Sequence, residues 1–335
     1  MNKEPLQKLF DAMYHGKIRF EDFLYSPMEQ NYEQGLPNHN GRRRILKPRE
    51  NLKTFHKFLN LFLFELLPIN ERVVYSYRKG FSAVNAVEKH RDGKFFFQTD
   101  ISAFFESIDV SLAKRVILSG AEFTPISDVD SYIDRIIDLV FVNDSLPVGF
   151  PVSAPLSNAV LFDFDNVMES YCLNKGLVYT RYSDDIVISG NEREWYNGVD
   201  DFVQRSLHES ASDRFYINRK KTRFFQVGNR LSILGVMILP NGKVSPDTRK
   251  RREIEVLLHF YLTDKDKFKK MIAEKRVKSG KISKIDDGVS DDECLDVLSG
   301  NLNYIDSIDP DYTNKLRRKF GVATIDMLKH RGFSK

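Results

Sequence analysis

Two short stretches of the chain alternate as strands do. Val178-Tyr179-Thr180-Arg181 and Ile186-Val187-Ile188-Ser189 are mostly β-branched or aromatic, Gly190 punctuates the second, and Tyr182-Ser183-Asp184-Asp185 lies between them. The pattern predicts a β-hairpin with two adjacent aspartates at its tip. A third apolar run, Lys94-Phe95-Phe96-Phe97-Gln98-Thr99, ends on Asp100 and predicts a core strand, after which Phe104, Phe105 and Ile108 open a helix-like segment. Apolar positions at Leu52, Phe55, Leu59, Leu61 and Phe64 predict a buried helix over about 50–68, stopped by Pro68. Residues 1–35 read as helical and polar, Gly35 to Gly41 as a loop, 94–236 as mixed strand and helix, and the chain beyond Pro246 as helical. Strands and helices interspersed in this way predict an α+β fold.

Composition narrows the class. With 335 residues, 41% apolar and 29% charged, the chain is globular and long enough for several subdomains. The formal net charge of +4 is modest, but basic residues are concentrated. Arg42-Arg43-Arg44 with Lys47 and Arg49 form one cluster; Arg249-Lys250-Arg251-Arg252 and the lysines from Lys265 to Lys284 form another. Such runs read either as solvated faces or as tracks for a nucleic-acid backbone, which would weaken with salt. Cys172 and Cys294 are too few for a disulfide framework and lack zinc-site spacing. The longest apolar stretch, Phe58 to Ile69, is too short to span a bilayer and carries Glu65. With no secretory pattern at the N-terminus, a cytoplasmic location without a membrane partner is the expectation.

The carboxylates carry the chemistry. Adjacent side chains on a regular strand face opposite ways, so Asp184 and Asp185 belong in a tight turn, either as ordinary turn residues or as an anionic pair offset by a cation. Asp100, at the end of an aromatic strand, is costly to bury unless paired or bound to a metal. Two strands ending in carboxylate suggest an oxygen-ligand site for a hard cation such as Mg²⁺. Two such ions roughly 3.5–4 Å apart stabilise the entering and leaving oxygens of an in-line phosphoryl displacement.

These residues stand in a longer series. Tyr182-Ser183-Asp184-Asp185 resembles the Tyr-x-Asp-Asp motif of prokaryotic reverse transcriptases of the retron, group II intron and defence-associated lineage, and Asp100 with Phe104-Phe105 resembles their first palm motif. Leu146 to Asn158 resembles the loop that contacts template and incoming nucleotide. Asn218-Arg219-Lys220-Lys221-Thr222 is similar to the lysine-bearing motif, Leu234-Gly235-Val236 to the primer-grip turn, and Arg43-x-Ile45-x-x-Pro48 to a fingers segment. Gly80-Phe81-Ser82 with Asn85-Ala86 and His90 resembles the stretch before the first aspartate, and Leu298 to Ile305 extends the likeness towards the thumb.

The resemblance implies a right-hand polymerase: N-terminal helices and fingers in 1–93, palm in 94–240 and a basic helical thumb in 241–335. It implies Asp100, Asp184, Asp185 and the carbonyl of Ile101 as ligands of two Mg²⁺ ions, with Mn²⁺ a possible substitute. Lys221 would protonate the departing pyrophosphate, with Lys220 as the fallback. Arg43 and Arg44 would clamp the triphosphate, Phe105 would bar a 2′-hydroxyl, and Gly149, Pro151 and Ser153 would line the nascent base pair. Tyr182, Leu234, Gly235, Arg249, Arg251 and Arg252 would contact nucleic acid. The partners implied are deoxynucleotides, a structured non-coding RNA, the RNA–DNA duplex product, and a partner effector protein or a second copy of the chain.

The chain also departs from the pattern. Val148 stands where many relatives carry Gln and cannot donate a hydrogen bond. No clear counterpart of the fingers lysine is present. Ser183 and the Leu234-Gly235-Val236 stretch differ from the Tyr-Ala-Asp-Asp and Val-Thr-Gly of a typical retron enzyme, which inclines the reading towards a defence-associated branch. The expected activity is RNA-directed DNA synthesis from a 3′-hydroxyl or a protein hydroxyl, in antiphage defence. A template-independent or protein-primed nucleotidyltransferase and a non-catalytic RNA-binding scaffold are the alternatives.

Overall fold

The computed structural model describes residues 2–28, 31–35, 45–227, 232–278 and 289–331. The chain forms two compact units. Among the described residues, the first is drawn from those up to 35, from 45–82 and from 93–225, and the second from 83–92 and those after 225. These units cut the chain elsewhere than at 93 and 240, because the short helix Ala83–Glu88 packs against strands that follow residue 235.

In the first unit, β1 (Tyr32–Gln34) pairs antiparallel with β2 (Leu46–Pro48). The central sheet contains β3 (Phe95–Asp100), β4 (Val178–Tyr182), β5 (Asp185–Gly190) and β6 (Arg223–Gln226), in the spatial order β4-β5-β3-β6. β3 and β5 are buried over most of their length, which is why they read as near-continuous apolar runs. Antiparallel register sets Phe95 against Gly190 and Asp100 against Asp185, so the two acid-ended strands finish side by side. Slipping that pairing by one residue would turn the buried side chains of β5 to the opposite face, so burial holds the register that brings the carboxylates together.

Part of the phenylalanine content packs between helices of the first unit. Phe10, Phe20, Phe23, Phe55 and Phe58 form a buried aromatic cluster with ring centroids 5.1–6.4 Å apart, in mixed edge-on, tilted and stacked contacts. The helix expected over about 50–68 spans Glu50–Phe62. Leu63 leaves helical geometry, and Phe64–Leu66 continues as a single 3-10 turn before Pro68, so the apolar periodicity outlasts the α-helix.

His56, fully buried on that helix, donates from Nε2 to the Leu139 carbonyl at 2.7 Å, and burial holds its pKa down at about 4. The folded state therefore binds fewer protons than the unfolded chain below the ordinary histidine pKa near 6.5. The His56 contribution is complete above about pH 6.5 and is lost as pH falls towards 4, by up to about 3 kcal/mol. Thermal unfolding of wild type and His56→Gln at pH 7 and pH 4.5 tests this. The stability gap between the two proteins is expected to shrink at the lower pH, and an unchanged gap contradicts it.

The second unit has its own core. β7 (Ser232–Ile233), β8 (Val236–Ile238) and β9 (Val244–Pro246) form an antiparallel sheet. The β7–β8 turn is Leu234-Gly235, both at positive φ, the arrangement a two-residue hairpin requires. Helices Thr248–Thr263, Lys265–Lys278, Asp291–Ile308, Pro310–Phe320 and Val322–His330 follow. The third begins with a capping box between Ser290 and Glu293 and buries Cys294, Leu298, Leu302 and Ile305, one stripe at helical spacing, against the others.

Candidate active site

Three backbone hydrogen bonds tie the carboxylate-bearing segments together. The Ile101 amide donates to the Asp184 carbonyl at 3.0 Å, the Ser102 amide to Tyr216 at 2.8 Å, and the Asn218 amide to Asp100 at 2.7 Å. Asp100 is thus fixed between the hairpin turn and the segment that bears Lys221, whose Nζ lies 2.7 Å from Asp100 Oδ2. The other oxygen, Asp100 Oδ1, is buried without a hydrogen-bond partner. Asp184 and Asp185 are half-buried. Burial, then the charges of Asp184 and Asp100, push the Asp185 carboxyl up to about 6, and Lys221 pulls the other way.

This donor set suits a hard cation. It is all oxygen, its carboxylates repel one another, and it contains a buried oxygen that no described residue satisfies. Among the described residues no three His, Cys, Asp or Glu side chains are gathered tightly enough to cage an ion alone.

The remaining residues singled out from the sequence fall in several places. Phe105 is half-buried and packs edge-on to Phe104, which itself fills the core. Ser153 is buried, and its hydroxyl donates to the Pro147 carbonyl at 2.7 Å, so it braces the loop rather than facing outward. Pro151 is exposed, and its carbonyl accepts from Asn60 at 3.3 Å. Val148 uses its carbonyl to accept from the Leu46 amide at 2.9 Å. Tyr182 closes β4 opposite Asp185. Arg43 and Arg44 lie outside the described residues, as do Arg42 and the lysines at 281 and 284.

Gly149 is required by the protein's own backbone. Its φ is +111°, and a Cβ there would stand 2.3 Å from the Leu46 carbonyl oxygen. Gly149→Ala is expected to lower stability by on the order of 1–3 kcal/mol, read as a shifted urea midpoint. A midpoint at the wild-type value would show that the loop yields freely.

In the second unit, the Gly235 carbonyl accepts from Tyr304 at 3.2 Å. Arg249 and Arg252 are exposed. Arg251 is engaged within the unit: Nη2 donates to Asp309 at 2.7 Å, and the guanidinium lies 4.5 Å from the centroid of the Tyr312 ring. Lys269, Lys275 and Arg276 pair with Asp291, Glu253 and Glu293, so part of the basic run is neutralised locally.

The sequence reading missed what lies beneath the turn. Arg181 is fully buried in β4 and forms a fork on Asp165, Nε to Oδ1 at 2.8 Å and Nη2 to Oδ2 at 2.7 Å. Tyr179 donates to Asp165 at 2.7 Å, and Arg181 Nη1 reaches Asn158 at 3.2 Å and the Ser183 carbonyl at 2.9 Å. The available signal was an arginine in the middle of an apolar strand.

Comparison with known proteins accords with this geometry. Residues 36–238, more than half of the chain, match the family profile "Reverse transcriptase (RNA-dependent DNA polymerase)". The chain is 24% identical over 297 residues to the Retron Ec83 reverse transcriptase of Escherichia coli, covering 86% of each chain. It is 28% identical over 290 residues to the Retron Ec73 reverse transcriptase of the same species, covering 84% of this chain and 83% of the relative. Among solved structures it is similar to telomerase from Candida albicans in complex with the TWJ fragment of telomeric RNA, at 11% identity and a TM-score of 0.45, covering 93% of this chain and 68% of that one. Both relatives are retron enzymes, so the lean away from retrons drawn from Ser183 and Leu234-Gly235-Val236 finds no support in them. The chain belongs to the reverse transcriptase family, with the right-hand polymerase fold of that family, and is an RNA-directed DNA polymerase.

Proposed function

We propose that this polymerase extends a 3′-hydroxyl along a structured non-coding RNA with two Mg²⁺ ions, and that it serves antiphage defence. The observation that carries the mechanism is the register of Asp100 opposite Asp185, with Asp100 Oδ1 buried and unpartnered at the strand end. In this reading Asp100, Asp184 and Asp185 hold the ions, with the Ile101 carbonyl as a further ligand. The ions supply Lewis acidity at the entering and leaving oxygens of the phosphoryl transfer.

The chain's own groups do the rest. Lys221, already at Asp100, offsets negative charge and is positioned to give its proton to departing pyrophosphate. Phe105, half-buried beside Phe104, presents a ring that leaves no space for a 2′-hydroxyl. The Gly149–Pro151 loop, braced by Asn60, Leu46 and Ser153, provides a firm wall for the nascent pair. Fingers, palm and thumb follow 1–93, 94–240 and 241–335. Of the three arginines in the Arg249–Arg252 run, Arg249 and Arg252 are exposed and would meet phosphates, whereas Arg251 is engaged by Asp309. The RNA partner is inferred from the retron reverse transcriptases that the chain resembles, and the defence role from the lineage that the motifs resemble.

The test is to purify the protein with its co-expressed nucleic acid, add Mg²⁺ and deoxynucleotides, and sequence the product. DNA complementary to a bound RNA is expected. A homopolymer, or sequence unrelated to any bound RNA, would move the reading to template-independent synthesis, which the aliphatic side chain of Val148 favours.

A further inference from the structure

Ser183, the residue before Asp184, has φ +59°. A serine in the left-handed region is strained and persists only where its surroundings over-determine it. Here all three of its polar groups are held. Its amide donates to Ser76 Oγ at 2.8 Å, its carbonyl accepts from Arg181 Nη1 at 2.9 Å, and its hydroxyl lies 3.0 Å from Tyr77 OH. These holders are themselves interlocked. Ser76 Oγ donates to Asn158 Oδ1 at 3.1 Å, Asn158 Nδ2 donates to the Ser76 carbonyl at 2.8 Å, and Arg181 is forked on Asp165. Ser76 and Arg181 are fully buried. The segment 73–75 runs beside β4, with the Tyr75 amide bonded to the Arg181 carbonyl and the Arg181 amide to the Val73 carbonyl. Tyr77 shares the strain at φ +57°.

We propose that Ser76, Tyr77 and Arg181 are positioning residues that clamp Ser183 in its strained conformation and so aim the Asp184 carboxylate. Their effect passes through the turn, from Ser183 to Asp184, whose carbonyl is pinned in turn by the Ile101 amide next to Asp100. A clamp with this role governs divalent-ion affinity and kcat rather than nucleotide KM alone. A merely structural contact would change the folded fraction without moving these quantities.

The inference rests on the reading of Asp184 as a metal ligand, and the experiment separates the two. Ser76→Ala, Tyr77→Phe, Ser183→Ala, the double variant Tyr77→Phe/Ser183→Ala and Asp184→Asn are assayed as full chains where circular dichroism shows them folded. Mn²⁺ affinity is measured by calorimetry without nucleotide. Ser76→Ala is expected to lose roughly 10-fold in kcat and in Mn²⁺ affinity, because it leaves the buried Ser183 amide without an acceptor. Tyr77→Phe and Ser183→Ala delete the same contact, so each is expected to lose about 2- to 5-fold and the double variant no more than either. A folded Ser76→Ala with wild-type kcat and Mn²⁺ affinity overturns the proposal, as does a change confined to nucleotide KM. Should Ser76→Ala not fold, the Tyr77–Ser183 cycle decides: non-additive losses support the clamp and additive ones overturn it. An active Asp184→Asn overturns both readings, whereas an inactive Asp184→Asn beside a wild-type-like Ser76→Ala removes the clamp alone.

Discussion

Asp184→Asn is expected to reduce DNA synthesis by at least about a thousandfold while leaving the protein folded. The substitution keeps the size of the side chain but removes one negative charge beside Asp185, which the strand register sets opposite Asp100. Because those carboxylates repel one another without a cation, loss of one relieves strain in the ion-free protein. The Asp185 carboxyl, raised to about 6 partly by Asp184, should return towards its ordinary range. Thermal stability without metal is therefore expected to hold or rise as activity disappears. Single-turnover assays on a defined RNA template, with melting curves in EDTA, check both halves. Substantial residual synthesis would show that Asp184 is not an ion ligand, and loss of the fold would show that the turn aspartate is a structural group.

Arg181→Met is expected to be the most destabilising single change in the first unit. It leaves Asp165, fully buried, with the Tyr179 hydroxyl in place of a two-pronged guanidinium. Breaking one side of a buried ion pair costs about 3–5 kcal/mol because the remaining charge is uncompensated. Replacing both partners, as Arg181→Met/Asp165→Leu, should recover much of that loss, since an apolar pair of similar volume avoids the desolvation penalty. Activity should not recover with it, because the Ser183 carbonyl still lacks its donor. Urea denaturation of the two variants beside wild type reads the stability. A single variant as stable as wild type would mean that the pair contributes little to the fold.

What the sequence disclosed and what it withheld follow from the range of the interactions. The hairpin bearing Asp184 and the strand ending on Asp100 were legible because β-branched and aromatic residues alternate or run together over five or six positions, a local signal. The capping of Asp291–Ile308 and its apolar stripe are equally local. The clamp was not legible. Ser76, Asn158 and Asp165 look like ordinary polar residues until the fold buries them beside Arg181, and their partners lie far along the chain. In the sequence Gly149 reads as allowing close approach of a base pair, yet its nearest constraint is the Leu46 carbonyl. Ser153 reads as facing nucleotide, yet its hydroxyl serves Pro147. In both cases the residue type announced a tight place, and only the fold identified what fills it. The helix beginning at Glu50 ended early for a similar reason: apolar periodicity continues through the 3-10 turn, so pattern alone could not mark the break at Leu63.

The central claim is that Asp100, Asp184 and Asp185 together hold two divalent ions during phosphoryl transfer. It is tested most directly by counting Mn²⁺ bound per protein by electron paramagnetic resonance, with RNA template, chain-terminated primer and the next deoxynucleotide present. Wild type is expected to bind two ions at the site, and Asp184→Asn fewer than two at the same free Mn²⁺ concentration. A wild-type count of one, or an Asp184→Asn count equal to wild type, would contradict the account.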